Sequence, residues 1–303
     1  MKSKQMYGNI LLLITAFIWG CAFVAQSVGM DYVGPFTFNA TRSLIGSAVL
    51  LPLIFFLDSR KKKAGTYQKP TREDRRMLYI GGICCGIIFT VACCLQQIGI
   101  NEGTSSGKAG FITAFYILLV PAMGLFLKKR VRPIIWFCIA IALTGLYLLC
   151  VTDNSIAKGD IYVLLCAFCY AIHILVIDYF SPKVDGVRLS CLQFFVAGIL
   201  SGICMFLFET PVLSDILAAW MPILYAGVLS CGVAYTLQII GQKYTDPTIA
   251  SMLMSFESVF AVLAGIAMLY QLPSLNEWLG CGLMFAAIII AQLPEKQKST
   301  LSS

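Results

Sequence analysis

Charge is scarce in this sequence. Lys, Arg, Asp and Glu make up 12% of its 303 residues, against 59% hydrophobic residues, where a soluble domain carries about 25% charged. A soluble fold would have to bury nearly every segment, and a chain of this length has too little interior for that. In lipid the same segments need no burial, provided each closes its own backbone hydrogen bonds as a helix. Histidine is scarcer still, with His173 alone, which counts against a zinc site of mixed ligands. One histidine and one deep carboxylate do not make a nucleophile–base pair, a carboxylate pair or a metal cage. No catalytic residue, metal or cofactor is expected. A Gly-x-x-x-x-Gly-Lys-Ser/Thr phosphate loop is also missing, so any work done on a solute is expected to draw on gradients.

What fills the chain is ten apolar stretches. They run near Asn9–Gly29, Phe36–Leu57, Leu78–Ile98, Ser106–Leu127 and Pro133–Val151, then Asp160–Tyr179, Leu189–Phe208, Ala219–Gly241, Thr248–Tyr270 and Leu275–Leu293. Each is about 20 residues, roughly 30 Å as a helix and enough to cross a bilayer core. On this ten-span arrangement 19 of the 22 basic residues fall on one side, from Lys2 and Lys4 through the Arg60-Lys61-Lys62-Lys63 run to Lys296 and Lys298. The positive-inside rule makes that side cytoplasmic, with both termini on it. The basic run reads as a topology determinant diluted by Asp58, Glu73 and Asp74, and no nucleic-acid partner is expected. The first stretch starts like a signal peptide but continues for a full bilayer thickness without a small-x-small cleavage site, so it reads as an uncleaved span.

The thirteen cysteines sit inside apolar helices, including Cys84-Cys85, Cys93-Cys94 and Cys166-x-x-Cys169. Adjacent helical residues face different directions, so the doublets are poor disulfide candidates and read as small packing residues. Gly198-x-x-x-Gly202 reads as a helix-packing pair.

The chain repeats at roughly 150 residues. Ala16-Phe17-Ile18-Trp19 aligns with Ala167-Phe168-Cys169-Tyr170, and Leu95-Gln96-Gln97-Ile98-Gly99 with Leu237-Gln238-Ile239-Ile240-Gly241. Five spans per repeat, an odd number, force the halves into opposite orientations. The expected fold class is an all-α polytopic membrane protein, ten transmembrane helices as two inverted five-helix repeats. The expected repeats are residues 1–152 and 153–294, followed by a cytoplasmic tail at 295–303. Gln96 and Gln238 are expected at two opposite gates related by the pseudo-two-fold axis.

Together with Trp19-Gly20, Gly110-Phe111-Ile112-Thr113 running on to Val120-Pro121, and Ser255-Phe256-Glu257-Ser258-Val259-Phe260-Ala261-Val262-Leu263-Ala264-Gly265, these segments resemble the EamA-type members of the drug/metabolite transporter superfamily. The resemblance spans essentially the whole chain and implies a ten-helix carrier with a central cavity, working by alternating access in a bacterial cytoplasmic membrane. One departure stands out: the family's Leu-Gly-Glu triplet after the fourth and ninth spans reads Leu127-Lys128-Lys129 and Leu269-Tyr270-Gln271 here.

An ionisable side chain inside the bilayer is costly and needs a reason. Glu257 lies about 15 Å into its span, near the midplane where inverted-repeat carriers hold substrate and coupling ion. It is a candidate to bind and release a proton, or else a structural group paired with Arg42. Arg42 is a counter-charge to Glu257 or to an anionic solute, or it snorkels to the headgroups; Lys108 reads as interfacial. His173 is a proton-shuttle candidate or a packing residue. Trp19, Phe111, Tyr116, Tyr170 and Tyr235 are placed together as a cavity wall able to stack apolar or cationic solutes. Pro121 is placed as a break within the fourth span and a candidate hinge.

These features predict a secondary transporter of small organic solutes, whether metabolites, amino acids or amphipathic compounds, working in efflux. Its partners are the solute, the bilayer and a proton as coupling ion. A sugar-phosphate or nucleotide-sugar exchanger is the alternative, and would need several cavity cations. A non-transporting receptor or scaffold is a further one, disfavoured by short loops.

Overall fold

The computed structural model describes residues 2–104, 106–128, 131–150, 157–269 and 274–292. Every regular element among these residues is helical. Three long helices open the chain, α1 (Lys2–Met30), α2 (Pro35–Lys63) and α3 (Arg72–Asn101). An interrupted pair, α4 (Ser106–Thr113) and α5 (Tyr116–Phe126), precedes α6 (Pro133–Cys150). Next come α7 (Lys158–Phe180), α8 (Gly186–Phe208) and a short α9 (Leu213–Ala218). A continuous rod follows, made of α10 (Trp220–Leu224), a π-helix (Tyr225–Ala234) and α11 (Tyr235–Gln242). A second interrupted pair, α12 (Pro247–Met254) and α13 (Glu257–Leu269), leads to α14 (Leu275–Gln292).

Among the described residues seven helical segments are long and apolar enough to cross a membrane. Two shorter apolar helices, Pro133–Leu148 and Trp278–Ala291, fall on the fifth and tenth expected spans. The ninth falls on α12 and α13. Phe55, Phe126 and Phe206 are among many large apolar side chains left exposed. That pattern is the reverse of a soluble protein's and matches a surface solvated by lipid.

Polar residues define the helix starts. Thr71 and Asp74 form a reciprocal capping box on α3, the threonine Oγ1 accepting from Asp74 N and Asp74 Oδ2 accepting from Thr71 N. α2 opens on Pro35, and its free amides at Phe36 and Thr37 donate to the Glu209 carboxylate, each at 2.8 Å, fixing the end of α8 beside the start of α2.

Long contacts join α2 to α8, α3 to α7, α6 to α14 and α1 to the rod of α10, π-helix and α11. Three of these approaches reach backbone distance because both partners are glycine: besides Gly145 and Gly280 between α6 and α14, two tie α3 to α7 and α11 to α1. A Cβ on Gly99 would lie 2.8 Å from Gly159 O, where α3 meets α7. A Cβ on Gly241 would lie 3.0 Å from Gly8 O, where α11 meets α1. Each of these two crossings carries a neighbouring hydrogen bond: Thr104 Oγ1 donates to Asp160 Oδ1 at 2.9 Å, and Thr245 Oγ1 to Asn9 Oδ1 at 3.1 Å. At the first crossing Lys108 Nζ also pairs with Asp160 Oδ2 at 2.7 Å.

Two expectations are corrected here. The interruption in the fourth span falls at Ala114–Phe115, and Pro121 lies inside α5. Around the interruption Ile117 and Leu118 make short bonds to Ala114 O and Phe115 O, three residues back. The ring of Pro121 crowds the carbonyl of Ile117 and loosens the turn before it, so the break appears upstream of the proline. Gly202 has open space around it, whereas Gly198 abuts Leu44, so only Gly198 of the expected pair packs a helix. Lys129, Gln271, the 152/153 repeat boundary and the 295–303 tail lie outside the described residues.

Candidate functional site

Both interrupted pairs break for local reasons. In the second, the hydroxyls of Ser251 and Ser255 donate to Thr248 O and Met252 O, three residues back, at 2.8 Å each. Such side-chain bonds compete with the helix ladder and bend it. Ser258 N then bonds to Ser255 O, three residues back, as Ile117 N does to Ala114 O in the first pair. Each helix restarts on a residue that the sequence singled out, α5 on Tyr116 and α13 on Glu257, and the Tyr116 hydroxyl donates to Glu257 Oε1 at 3.1 Å. The start of a helix carries free N–H groups and positive potential, a favourable place for a carboxylate. Gly20 brings α1 against this start: a Cβ there would meet Glu257 O at 2.7 Å.

A cavity enclosing about 490 Å³, counting the space at its mouth, surrounds this contact. Trp19, Gln26, Arg42, Gln96, Thr113 and Tyr116 line it from α1 to α5. Tyr170, Ser230, Tyr235, Gln238 and Glu257 line it from α7 to α13. Ala22, Phe23, Ile174 and Met254 complete an apolar portion. The Trp19 and Tyr235 rings lie 4.5 Å apart, and the Tyr235 hydroxyl donates to that of Tyr170 at 3.3 Å. The π-helix widens the turn that presents Ser230, and α1 secures it at both ends: Tyr225 Oη donates to Ile18 O, and Thr15 Oγ1 reaches Ala234 O, each at 3.0 Å. π-helical insertions of this kind recur at functional sites.

The charged groups do not neutralise each other by contact. Arg42 is 3% exposed and Glu257 4%, and no ion pair joins them among the described residues. Arg42 stands 5.4 Å over the Phe38 ring, and its Nε has no hydrogen-bond partner among the described residues. The same holds for Trp19 Nε1, Gln26 Oε1 and Gln238 Oε1. A buried polar atom without a partner costs about 1–3 kcal/mol, and four of the twelve such side-chain atoms among the described residues line this cavity.

Of the residues singled out in the sequence, Glu257, Trp19, Gln96, Gln238, Tyr116, Tyr235, Tyr170 and Arg42 all face this cavity. Arg42 does not snorkel, because its face of α2 turns inward against α8 and the π-helix. Gln96, bonded to Thr113 Oγ1, and Gln238 share one cavity rather than standing at two gates. Phe111 is not in the wall; it packs outward on Phe115 and Tyr147, at 5.2 and 6.3 Å between ring centroids. His173 lies behind the wall against Phe89, Tyr170 and Tyr235, with Nε2 3.1 Å from Gln193 Oε1. Pro121 is away from the cavity. Gln26, Thr113 and Ser230 are cavity residues that the sequence reading passed over; their signal was a neutral polar side chain within an apolar span.

The EamA-like transporter family matches at residues 6–151 and again at 157–292. The chain belongs to this family and is a multi-pass membrane protein of transporter type. It is 27% identical over 296 residues to an uncharacterized transporter of Archaeoglobus fulgidus, covering 96% of this chain and 87% of that one. It is 26% identical over 315 residues to the uncharacterized transporter YwfM of Bacillus subtilis, covering 97% and 98%. A crystal structure sharing 20% identity superposes with a TM-score of 0.74 over 94% of this chain and 96% of that one, a likeness of fold.

Proposed function

We propose that this protein is a secondary transporter that moves small organic solutes out of the cell across a bacterial cytoplasmic membrane by alternating access. Two inverted repeats of five spans, residues 1–152 and 153–294, carry the motion, with both termini cytoplasmic. The observation that carries this reading is the meeting of Tyr116 and Glu257, each the first residue after the interruption in the fourth span of its half, inside one cavity lined from both halves. Discontinuous helices meeting at a central site are how inverted-repeat carriers bind solute and coupling ion.

The two glycine crossings support the alternating element. Span 3 meets span 6 at Gly99 and Gly159, and span 8 meets span 1 at Gly241 and Gly8, the same contact with the halves exchanged. They are the closures at the two membrane faces, one opening while the other holds. Glu257 is the proton-binding group, its carboxyl exchanging a proton for solute. The sugar-phosphate alternative loses support because, among the described residues, Arg42 is the one basic residue lining the cavity and Lys108 is engaged with Asp160.

Inside-out vesicles carrying the protein test this reading, using labelled metabolites, amino acids and amphipathic amines under an imposed pH gradient. Uptake of one class by the wild type, lost in Glu257→Gln, is the expected result. Vesicles that take up no class, whichever direction the gradient runs, overturn it.

A further inference from the structure

Span 8 departs from regular helix geometry where its counterpart does not. The aligned segments 95–99 and 237–241 set the π-helix Tyr225–Ala234 opposite residues 83–92, which lie within the unbroken α-helix of α3. In α3 the Thr90 hydroxyl donates to Gly86 O, four residues back, at 2.7 Å. At the end of the π-helix Tyr235 N bonds instead to Ser230 O, five residues back. The interruptions at 114–115 and 255–256 recur in both halves, whereas among the described residues the π-helix occurs in one. A pseudo-two-fold axis relates the two end states of an inverted-repeat carrier by exchanging the conformations of its halves. A feature present in one half alone is then one that changes between the states.

Taking up α register absorbs the surplus residue of a π-helix, and each residue absorbed turns the downstream helix by roughly 100° and extends it by about 1.5 Å. Gly227 and Gly232, five residues apart inside the π-helix, give the backbone freedom for that change. α11 would then turn a different face to α1, taking Tyr235 and Gln238 out of the cavity wall. Gly241 would leave Gly8, at a crossing where a Cβ meets Leu12 at 2.9 Å and Gly8 O at 3.0 Å. Its neighbours Ile240 and Gln242 are both too large for that place, so either one arriving there drives α11 away from α1. Opposing the change, α1 grips the π-helix at both ends, through Tyr225 Oη on Ile18 O and Thr15 Oγ1 on Ala234 O.

We propose, resting on the alternating-access reading, that the π-helix of span 8 is the hinge of the Gly8–Gly241 closure. Its conversion to α register turns α11 and parts it from α1. Thr15 and Tyr225 are positioning residues that hold the π register while the closure is shut.

The test uses full-length protein freed of its own cysteines, in lipid nanodiscs. Spin labels are placed on Gln5→Cys and Lys243→Cys, exposed positions beside the crossing of α1 with α11, and their separation is measured by pulsed resonance at acid and neutral pH. The parent is expected to show two separations, a short one with the crossing shut and a longer one with it open. Thr15→Val combined with Tyr225→Phe is expected to raise the longer population at least threefold. Deletion of Leu229, an exposed residue of the π-helix, removes the surplus and is expected to leave the short separation alone. Two populations in the parent that stay unchanged in the Thr15→Val/Tyr225→Phe variant overturn the hinge and leave the alternating reading standing, even where the deletion variant fails to fold. A longer population that persists in a folded deletion variant overturns it equally. A single separation in the parent and in every variant, at either pH, overturns the alternating reading itself.

Discussion

Tyr116 and Glu257, 141 residues apart in sequence, are joined by a hydrogen bond of 3.1 Å, and each opens a helix that resumes after a two-residue interruption. The contact links α5 to α13 inside the cavity. It also explains how an acid is tolerated there: a helix start and a phenol share the work of replacing water.

Removing the phenol leaves that carboxyl without its named partner. Tyr116→Phe is expected to destabilise the protein by about 1–3 kcal/mol and to reduce flux more than tenfold while leaving expression intact. Thermal unfolding in detergent and vesicle uptake measure the two effects. Wild-type flux in Tyr116→Phe would remove this bond from the mechanism.

Lys108 and Asp160 form the charged part of one crossing, while Asn9 and Thr245 supply a neutral contact at the other. Asp160 also accepts from Thr104 Oγ1 and from Ala157 N at the start of α7. Asp160→Ala is therefore expected to cost more stability than Lys108→Met. A double-mutant cycle on the pair is expected to give a coupling above about 1 kcal/mol. Additive effects would reduce the ion pair to a bystander.

The glycine crossings separate from ordinary glycines by a single methyl group. Gly159→Ala would press a Cβ onto Gly99 O and Thr104 Oγ1, whereas Gly202→Ala meets nothing within 4 Å. Gly159→Ala is expected to lower the unfolding midpoint by several degrees and to slow transport, because overpacking costs about 1–3 kcal/mol. Gly202→Ala is expected to match wild type. Equal behaviour of the two would argue against a tight crossing.

His173 stands behind the aromatic wall and bonds to Gln193. His173→Gln is expected to keep at least half of the wild-type flux and its pH profile, with a modest loss of stability. A flattened pH profile would restore the histidine as a proton carrier.

Much of this architecture was legible in the sequence because bilayer physics leaves few options. Apolar length marked the long helices, and the repeated Leu-Gln-x-Ile-Gly segment ends at Gly99 and Gly241, where two helix crossings lie, although the sequence drew attention to its glutamines instead. The rarity of ionisable residues within spans pointed to Arg42 and Glu257 before any contact was visible. Three things were hidden. Which way a side chain faces on a nearly uniform apolar helix leaves little trace, so Phe111 was assigned to the wall and Arg42 given a route to the headgroups. Helix interruptions at 114–115 and 255–256 arise from bonds three residues apart, not from proline alone, and Pro121 drew attention six residues downstream. The partnership of Lys108 with Asp160 depends on α4 meeting α7 across the repeat boundary, which no local pattern encodes.

Side-specific labelling tests the account most directly. A variant freed of its thirteen cysteines would carry Thr113→Cys in the cavity together with Thr104→Cys and Asp160→Cys across one crossing. With the crossing reduced, an impermeant maleimide is predicted to reach position 113 from either face of the membrane. With the crossing locked by oxidation, labelling from the Thr104 face is predicted to stop while labelling from the other face continues. Position 113 labelling from one face only, or unchanged by the lock, would contradict a cavity that opens alternately.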